Sequence, residues 1–339
     1  MRRRLATVAV ALGLVGLAAC GGDGGGSASS SSGPATGAKL SLGFSAWPGW
    51  FPWQVAEDEG IFAEHGLDVD LKYFESYTDS LNALATGNLD GNSQTLNDTI
   101  SSVSGGSKQS IVLTNDNSTG NDQIIAGPDI AKVEDLRGRK VAVEEGTVDH
   151  YLLLLGLQKA GMTRADVDLQ PLVTDAAAAA FASGQVEAVG AFAPFTDTAL
   201  QRQGSKVLFS SADFPGAIPD HLVMTRAFVQ KRPGDVQKLV DAWYDTLDYI
   251  TAHRDESVAI MAKRAGVPVE AYRDYDAGTT IFTVADNVEA FTPGNDQKHL
   301  DFAARQIAAF LLDSKLIDAA PDLAGLLDPT FVRARAGAG

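Results

Sequence analysis

The chain has 339 residues, with 27 Lys and Arg against 43 Asp and Glu, a formal charge of -16 and one cysteine. That length fits two lobes of ordinary domain size. No basic excess exists to hold nucleic acid or anionic lipid by charge, and a lone thiol excludes an internal disulfide, so the core alone must hold the fold.

Arg2, Arg3 and Arg4 precede an apolar run from Leu5 to Ala19 that is too short to span a bilayer, so residues 1–19 read as a secretion signal. Leu17-Ala18-Ala19-Cys20 resembles the lipobox of bacterial lipoproteins, in which cleavage leaves Cys20 as the lipid-modified first residue. An ordinary signal followed by a chance cysteine is the alternative. Removal of the three arginines takes the charge to -19. Residues 20–38 are mostly Gly, Ser and Ala and read as a flexible tether. Together they predict an extracytoplasmic domain, lipid-anchored to the outer face of the cell membrane.

From Lys39 onward short β-rich runs alternate with helical patterns: KLSLGFS, DVDLKYF, LDGNSQ, QSIVLTN, QIIAGP, KVAVEEG, DLQPLV, VEAVGAF and KVLFSS. That order predicts an α/β class with largely parallel sheets. After about Phe228 the pattern becomes helical, which predicts a C-terminal tail packed on the lobes. An internal echo supports two lobes. Ala83–Thr99 and Ala180–Thr198 each run helix end, glycine, acidic residue, strand and polar or Pro-containing helix start, with Gly87 and Gly184 where a helix ends in a left-handed residue. The expected division is 39–126 plus 223–339 for one lobe and 127–222 for the other. Ligands of open α/β sheets sit at the carboxyl ends of the strands.

The first such end carries FSAWPGWFPW, which delivers Ser45, Trp47 and Trp50 into a turn fixed by Pro48, Gly49 and Pro52. Fixed aromatic faces give a small ligand apolar walls at little entropy cost, and a cation a π-face. Trp53 lies inside the following helical pattern and is expected in the core; Trp47 is expected in the cleft, and Trp50 fits either place. The second strand offers Glu75 and Tyr77, the third Asn92, Gln94 and Thr95, and the fourth Asn115 and Asp116. In the second lobe a strand reaches Glu144 and Glu145, and a helix starts near Thr147 with Asp149 and His150 in its first turns. Alternation lets only one of the adjacent glutamates face the cleft, and Glu145 is the expected one. Phe192 and Pro194 are expected to supply a second wall opposite the tryptophans. Asp220 and His221 lie where the chain crosses back between lobes, as hinge or as ligand contact.

GIFAEHGLDVDL after an aromatic loop, ALATGNLDGN, DLRGRKVAVEEGTVDHYLLLLGLQKAGM and GQVEAVGAFAPFTDTAL resemble the substrate-binding proteins of ABC importers of the nitrate, taurine and aliphatic-sulfonate group. The resemblance runs from about Leu40 to Phe331. It implies the two-lobed, type II periplasmic-binding-protein-like fold with its cleft between lobes, a transport role, a monomer, and ABC permease and ATPase subunits as partners. The WPGW run resembles a branch handling small nitrogen compounds, with Ala46 where that branch usually carries an acidic residue. A thiamine-pyrimidine precursor is another ligand the group implies.

The predicted edges hold Glu75, Asp116, Glu144, Glu145 and Asp149 but no lysine or arginine. A cationic or neutral nitrogen-rich ligand suits them, because carboxylates pair with ammonium or amidinium groups. A sulfonate or nitrate would instead need backbone N–H groups at helix starts. An enzyme is not expected: GxSxG, HExxH and a cysteine nucleophile in the folded part are lacking, and neither cofactor nor metal is expected. A lipoprotein that senses or scaffolds without binding a small molecule is the remaining class.

Overall fold

The computed structural model describes residues 39–337; the expected signal segment 1–19, Cys20 and the tether 20–38 lie outside the described residues. Eleven strands occur among those residues. They are β1 (Leu40–Ser45), β2 (Val69–Phe74), β3 (Gly91–Thr95), β4 (Gln109–Ser118), β5 (Asp122–Ala126), β6 (Lys140–Val143), β7 (Asp168–Pro171), β8 (Ala188–Phe192), β9 (Lys206–Ser210), β10 (Pro219–Thr225) and β11 (Thr279–Ile281). One sheet runs β11-β4-β10-β3-β1-β2 and the other β7-β6-β8-β5-β9.

All nine runs read from the sequence form strands, and the two sheets with their helices make a two-lobed α/β fold. The sheets are mixed rather than largely parallel. β1 pairs in parallel with β2 and β3, and β6 with β7 and β8. The exceptions follow from the way the chain changes sheets. Leaving β4, it enters the second sheet as β5, antiparallel to β8 and β9; returning, it enters the first as β10, antiparallel to β3 and β4. Each lobe thereby receives a strand from the far side of the crossing. Asp122–Ala126, expected with the first lobe, therefore belongs to the second sheet, and Pro219–Leu222 to the first. β10 carries Asp220 and His221 in a buried run of PDHLVMT that reads poorly as a strand because it opens with proline and two polar residues.

The two crossings touch. Ser118 and Ser211 share a hydroxyl hydrogen bond of 2.7 Å, the Gly120 N–H donates to Ser211 Oγ at 2.8 Å, and the Ser118 N–H donates to the Ile218 carbonyl at 2.9 Å.

The repeated unit is visible in both lobes. Helices Tyr77–Ala85 and Thr174–Ala182 end before Gly87 and Gly184, at φ 77° and 78°, and lead into β3 and β8. A side chain at this left-handed position is strained, so glycine lets the chain turn at once into its strand.

The tail braces the first lobe. Helix Pro233–Ala252 brings Trp243 to 4.6 Å from Trp53, centroid to centroid, and Phe62 stacks on Trp53 at 6.0 Å. Trp53 is fully buried and donates from Nε1 to Ser93 Oγ at 2.9 Å, which confirms its expected core place. Further on, β11 adds an edge strand to β4, and the Asn287 amide pairs with the Thr114 backbone at 2.8 and 2.9 Å.

Candidate ligand-binding site

Between the lobes lies a small chamber lined by Ala46, Trp47, Trp50, Tyr77, Thr95, Asp122, Val148, Phe192 and Asp220. Each comes from a strand end or helix start that local chemistry fixes. After β1 the backbone turns: the N–H groups of Trp50 and Phe51 both donate to the Trp47 carbonyl, at 3.0 and 3.2 Å, and Pro52 opens the next helix. Gly49 is required for close approach. A Cβ there would stand 1.9 Å from Asp116 Oδ2, so the loop lies directly on that carboxyl group. Tyr272 of the tail donates to the Pro48 carbonyl at 3.2 Å and holds the loop from behind.

Four aromatic rings close on themselves. The centroids are 6.4 Å apart for Trp47–Trp50, 5.4 Å for Trp50–Tyr77, 6.3 Å for Tyr77–Phe192 and 6.3 Å for Phe192–Trp47. Three rings belong to the first lobe and Phe192, at the end of β8, to the second, so the ring is assembled only where the lobes meet. The space left is about the room of one water molecule. Tyr77 is set by Thr95, whose N–H donates to the Tyr77 hydroxyl at 3.0 Å. Thr95 in turn caps the helix Leu96–Ser104 and donates from Oγ1 to Asp98 at 2.7 Å.

Below the rings the site is acidic. Asp98, Asp116, Asp122, Asp149 and Asp220 are all at most 2% exposed. Strand register places Asp220 opposite Asp116 and Thr95, and Asp122 opposite Phe192. Asp116 Oδ1 accepts from Trp47 Nε1 at 2.9 Å, and Asp149 Oδ2 lies 2.8 Å from Thr174 Oγ1. Asp116 Oδ2, Asp122 Oδ2, Asp149 Oδ1 and both oxygens of Asp220 have no donor. Burial pushes Asp98, Asp116 and Asp122 up to about 7 and Asp149 and Asp220 well above the usual carboxyl range. The neighbouring carboxylates raise Asp149 and Asp220 further, and a carboxyl proton shared between Asp116 and Asp220 is the one link those otherwise donorless oxygens have. His150 and His221, the histidines nearest the acidic floor, are driven by burial to about 4 and about 3, so both are neutral at pH 7.

Trp47, Trp50, Tyr77, Thr95 and Phe192 thus line the chamber as the sequence suggests, and Asp116 stands directly behind it. Ser45 and Glu75 line an adjoining pocket with Glu144 and Phe195; Glu75 itself is exposed. Asn92 and Gln94 do not line the chamber. Their amides belong to an interior network with Ser80, Thr99 and Gln109, because β3 is central and covered on both faces. Asn115, Thr147, His150 and Pro194 are buried outside the lining, and Thr147 instead donates from Oγ1 to the Glu144 carbonyl at 2.8 Å.

The glutamate choice reverses. Glu145 is exposed and lies 3.8 Å from Arg164, while Glu144 is 4% exposed and turned inward. Alternation holds, but the turn at Gly146 directs the earlier residue to the cleft. Glu144 Oε1 accepts from the Thr78 N–H and hydroxyl, and Oε2 from the Thr174 N–H at 3.2 Å and hydroxyl at 2.8 Å. Thr78 starts a helix of the first lobe and Thr174 one of the second, so one carboxylate fastens the lobes together. Glu144→Ala is expected to weaken closure by about 2–3 kcal/mol, the scale of hydrogen bonds to a charged group, and to enlarge the radius of gyration measured by small-angle scattering. Glu145→Gln is expected to change neither that radius nor the urea midpoint measurably.

Asp122 and Val148 are lining residues that sequence reasoning missed, and Asp98 is a missed part of the acidic floor. Asp122 follows Asp116 by six residues at the first crossing, and the crossing itself was the available signal.

The NMT1-like family model matches residues 33–266. The chain belongs to the NMT1-like family. A protein of Brucella abortus (strain 2308), whose name proposes binding and gives no ligand, is 32% identical over 213 residues, 62% of this chain. That match spans 66% of the relative's own length, just under two thirds. The taurine-binding periplasmic protein of Escherichia coli (strain K12) is 29% identical over 230 residues, covering 64% of this chain and 70% of the relative. In fold, the periplasmic aliphatic sulphonate binding protein of Escherichia coli superposes with a TM-score of 0.71 at 23% identity, over 86% of this chain and 92% of that one.

Proposed function

We propose that this NMT1-like protein is the extracytoplasmic solute-binding component of an ABC importer for a small polar compound containing nitrogen or sulfur. The carrying observation is the aromatic ring completed across the lobes: three rings of one lobe meet Phe192 of the other, which lies 6.3 Å from Trp47 and from Tyr77. A ligand that enters the ring stabilises the closed form by its differential affinity, and the closed form is the one a permease reads. The two strand crossings supply the hinge, and a lipid on Cys20 would keep the domain beside its permease and ATPase. The names of the Escherichia coli relatives, which bind taurine and aliphatic sulfonates, support a solute receptor rather than an enzyme.

The experiment is a thermal-shift and calorimetric panel on the purified protein with taurine, ethanesulfonate, nitrate, bicarbonate, urea, guanidinium and an aminomethyl-pyrimidine. A receptor gives a ligand-dependent rise in melting temperature with at least one of them, and Trp47→Ala weakens that binding at least tenfold because it removes a wall of the ring. A flat response to all seven and to methylammonium defeats the transport reading and favours a lipoprotein scaffold.

A further inference from the structure

We propose that the chamber, which must widen beyond the room of one water by withdrawal of Phe192 from Trp47 and Tyr77, takes a compact organic cation bearing N–H groups, an ammonium, amidinium or guanidinium, seated inside the ring of Trp47, Trp50, Tyr77 and Phe192 with its N–H groups on Asp220 and Asp122. The inference rests on the receptor reading above and names the class of its ligand.

Unmatched hydrogen-bonding capacity comes first. Asp220, 1% exposed and lining the chamber, receives no N–H or hydroxyl donor on either carboxyl oxygen, its one link being a proton shared with Asp116, and Asp122, 2% exposed, receives none on Oδ2. Buried acceptors left without donors are costly, and a site that leaves them so is built for a donor. On the donor side only the Trp50 Nε1–H among the lining residues is buried without an acceptor; the Thr95 hydroxyl is committed to Asp98 and the Trp47 indole to Asp116. Once the raised carboxyl groups give up their protons, the chamber therefore asks for several donors and at most one acceptor.

Charge points the same way. No lysine or arginine lines the chamber, while Asp98, Asp116, Asp149 and Glu144 stand behind Asp122 and Asp220 and both nearby histidines are neutral. An oxyanion would meet this field with one free N–H. A cation meets it with charge-assisted hydrogen bonds, and the four rings, 5.4–6.4 Å apart between neighbouring centroids, offer quadrupole attraction to a cation that reaches a ring face. Tetramethylammonium would satisfy the rings but leave the carboxylate oxygens bare. A metal ion is disfavoured by geometry: among the described residues no three His, Cys, Asp or Glu groups are placed to ligate one together.

A cation also takes the place of protons. Raised carboxyl groups on both lobes hold protons near neutrality, so entry of a positive charge drives some of them off. Affinity for the cation should fall as pH drops from 8 to 6, by up to about tenfold per unit for each proton displaced.

The test is calorimetry of the purified protein with methylammonium, guanidinium, tetramethylammonium, urea and ethanesulfonate. The expected result is binding of methylammonium or guanidinium, with urea and tetramethylammonium at least a hundredfold weaker and affinity rising with pH. Asp220→Asn should weaken the bound cation at least tenfold without lowering the urea midpoint, which separates a contact from a folding defect. Tighter binding of ethanesulfonate or urea than of either N–H cation overturns the inference and leaves the receptor reading in place. Failure of both N–H cations to bind at millimolar concentration also overturns it; the sulfonates and neutral compounds of the wider panel then decide the receptor reading separately.

Discussion

Trp53→Ala lowers the unfolding free energy by about 3–5 kcal/mol, the range for removing a fully buried aromatic. The indole fills the seam between the helix Pro52–Asp58 and the tail helix Pro233–Ala252, with Phe62 on one side and Trp243 on the other. Its loss leaves a cavity that two helices cannot close without moving, and strands the Ser93 hydroxyl in the core. Trp53→Phe should cost less, since it retains most of the apolar volume and loses mainly the hydrogen bond. Urea unfolding of the two variants at fixed pH checks the order. Equal midpoints for Trp53→Ala and the parent would mean that the tail is not seated on the first lobe.

The second large effect is on pH. A carboxyl group whose folded pKa lies above its unfolded one binds more protons folded than unfolded. Its stabilisation is therefore lost as pH rises from the unfolded value towards the folded one. Asp98, Asp116 and Asp122 do this between about 4 and about 7, and Asp149 and Asp220 continue beyond. His150 and His221, depressed to about 4 and about 3, act oppositely and gain stability up to the ordinary histidine value. Five groups against two leave a net decline, each contributing at most about 1.4 kcal/mol per pH unit. Asp135, Asp166 and Asp301 are lowered by hydrogen bonds and nearby cations, so their effects fall at more acid pH. The ligand-free protein should thus be more stable to urea at pH 5.5 than at pH 8, and Asp220→Asn should flatten the slope. A midpoint that rises steadily from pH 5.5 to 8 would show that these carboxyl groups titrate normally.

The sequence reveals the fold well where one segment decides its own structure. All nine expected strands exist because alternation and β-branched runs are local signals, and the glycines closing the repeated helices are read for the same reason. β10 and the sense of its pairing are not local. They depend on the chain leaving one sheet and returning to the other, and PDHLVMT shows that only once β3 and β4 flank it. The site divides likewise. Trp47, Trp50 and Tyr77 are legible because aromatic residues bunched at a strand end have few other uses, whereas Asn92 and Gln94 look equally suited to a ligand and are consumed by each other's network. Between Glu144 and Glu145 the parity argument is sound, yet parity alone does not say which phase the strand takes into its turn.

The hydroxyl bond between Ser118 and Ser211 joins the two crossing segments where they pass from lobe to lobe. Two separate straps would let the lobes twist, shear and tilt independently. Tied together they behave as an axle, leaving essentially one angle free. On the proposed receptor reading, an open cleft on such an axle would already face its partner wall, so a captured solute would supply only the swing and none of the aim.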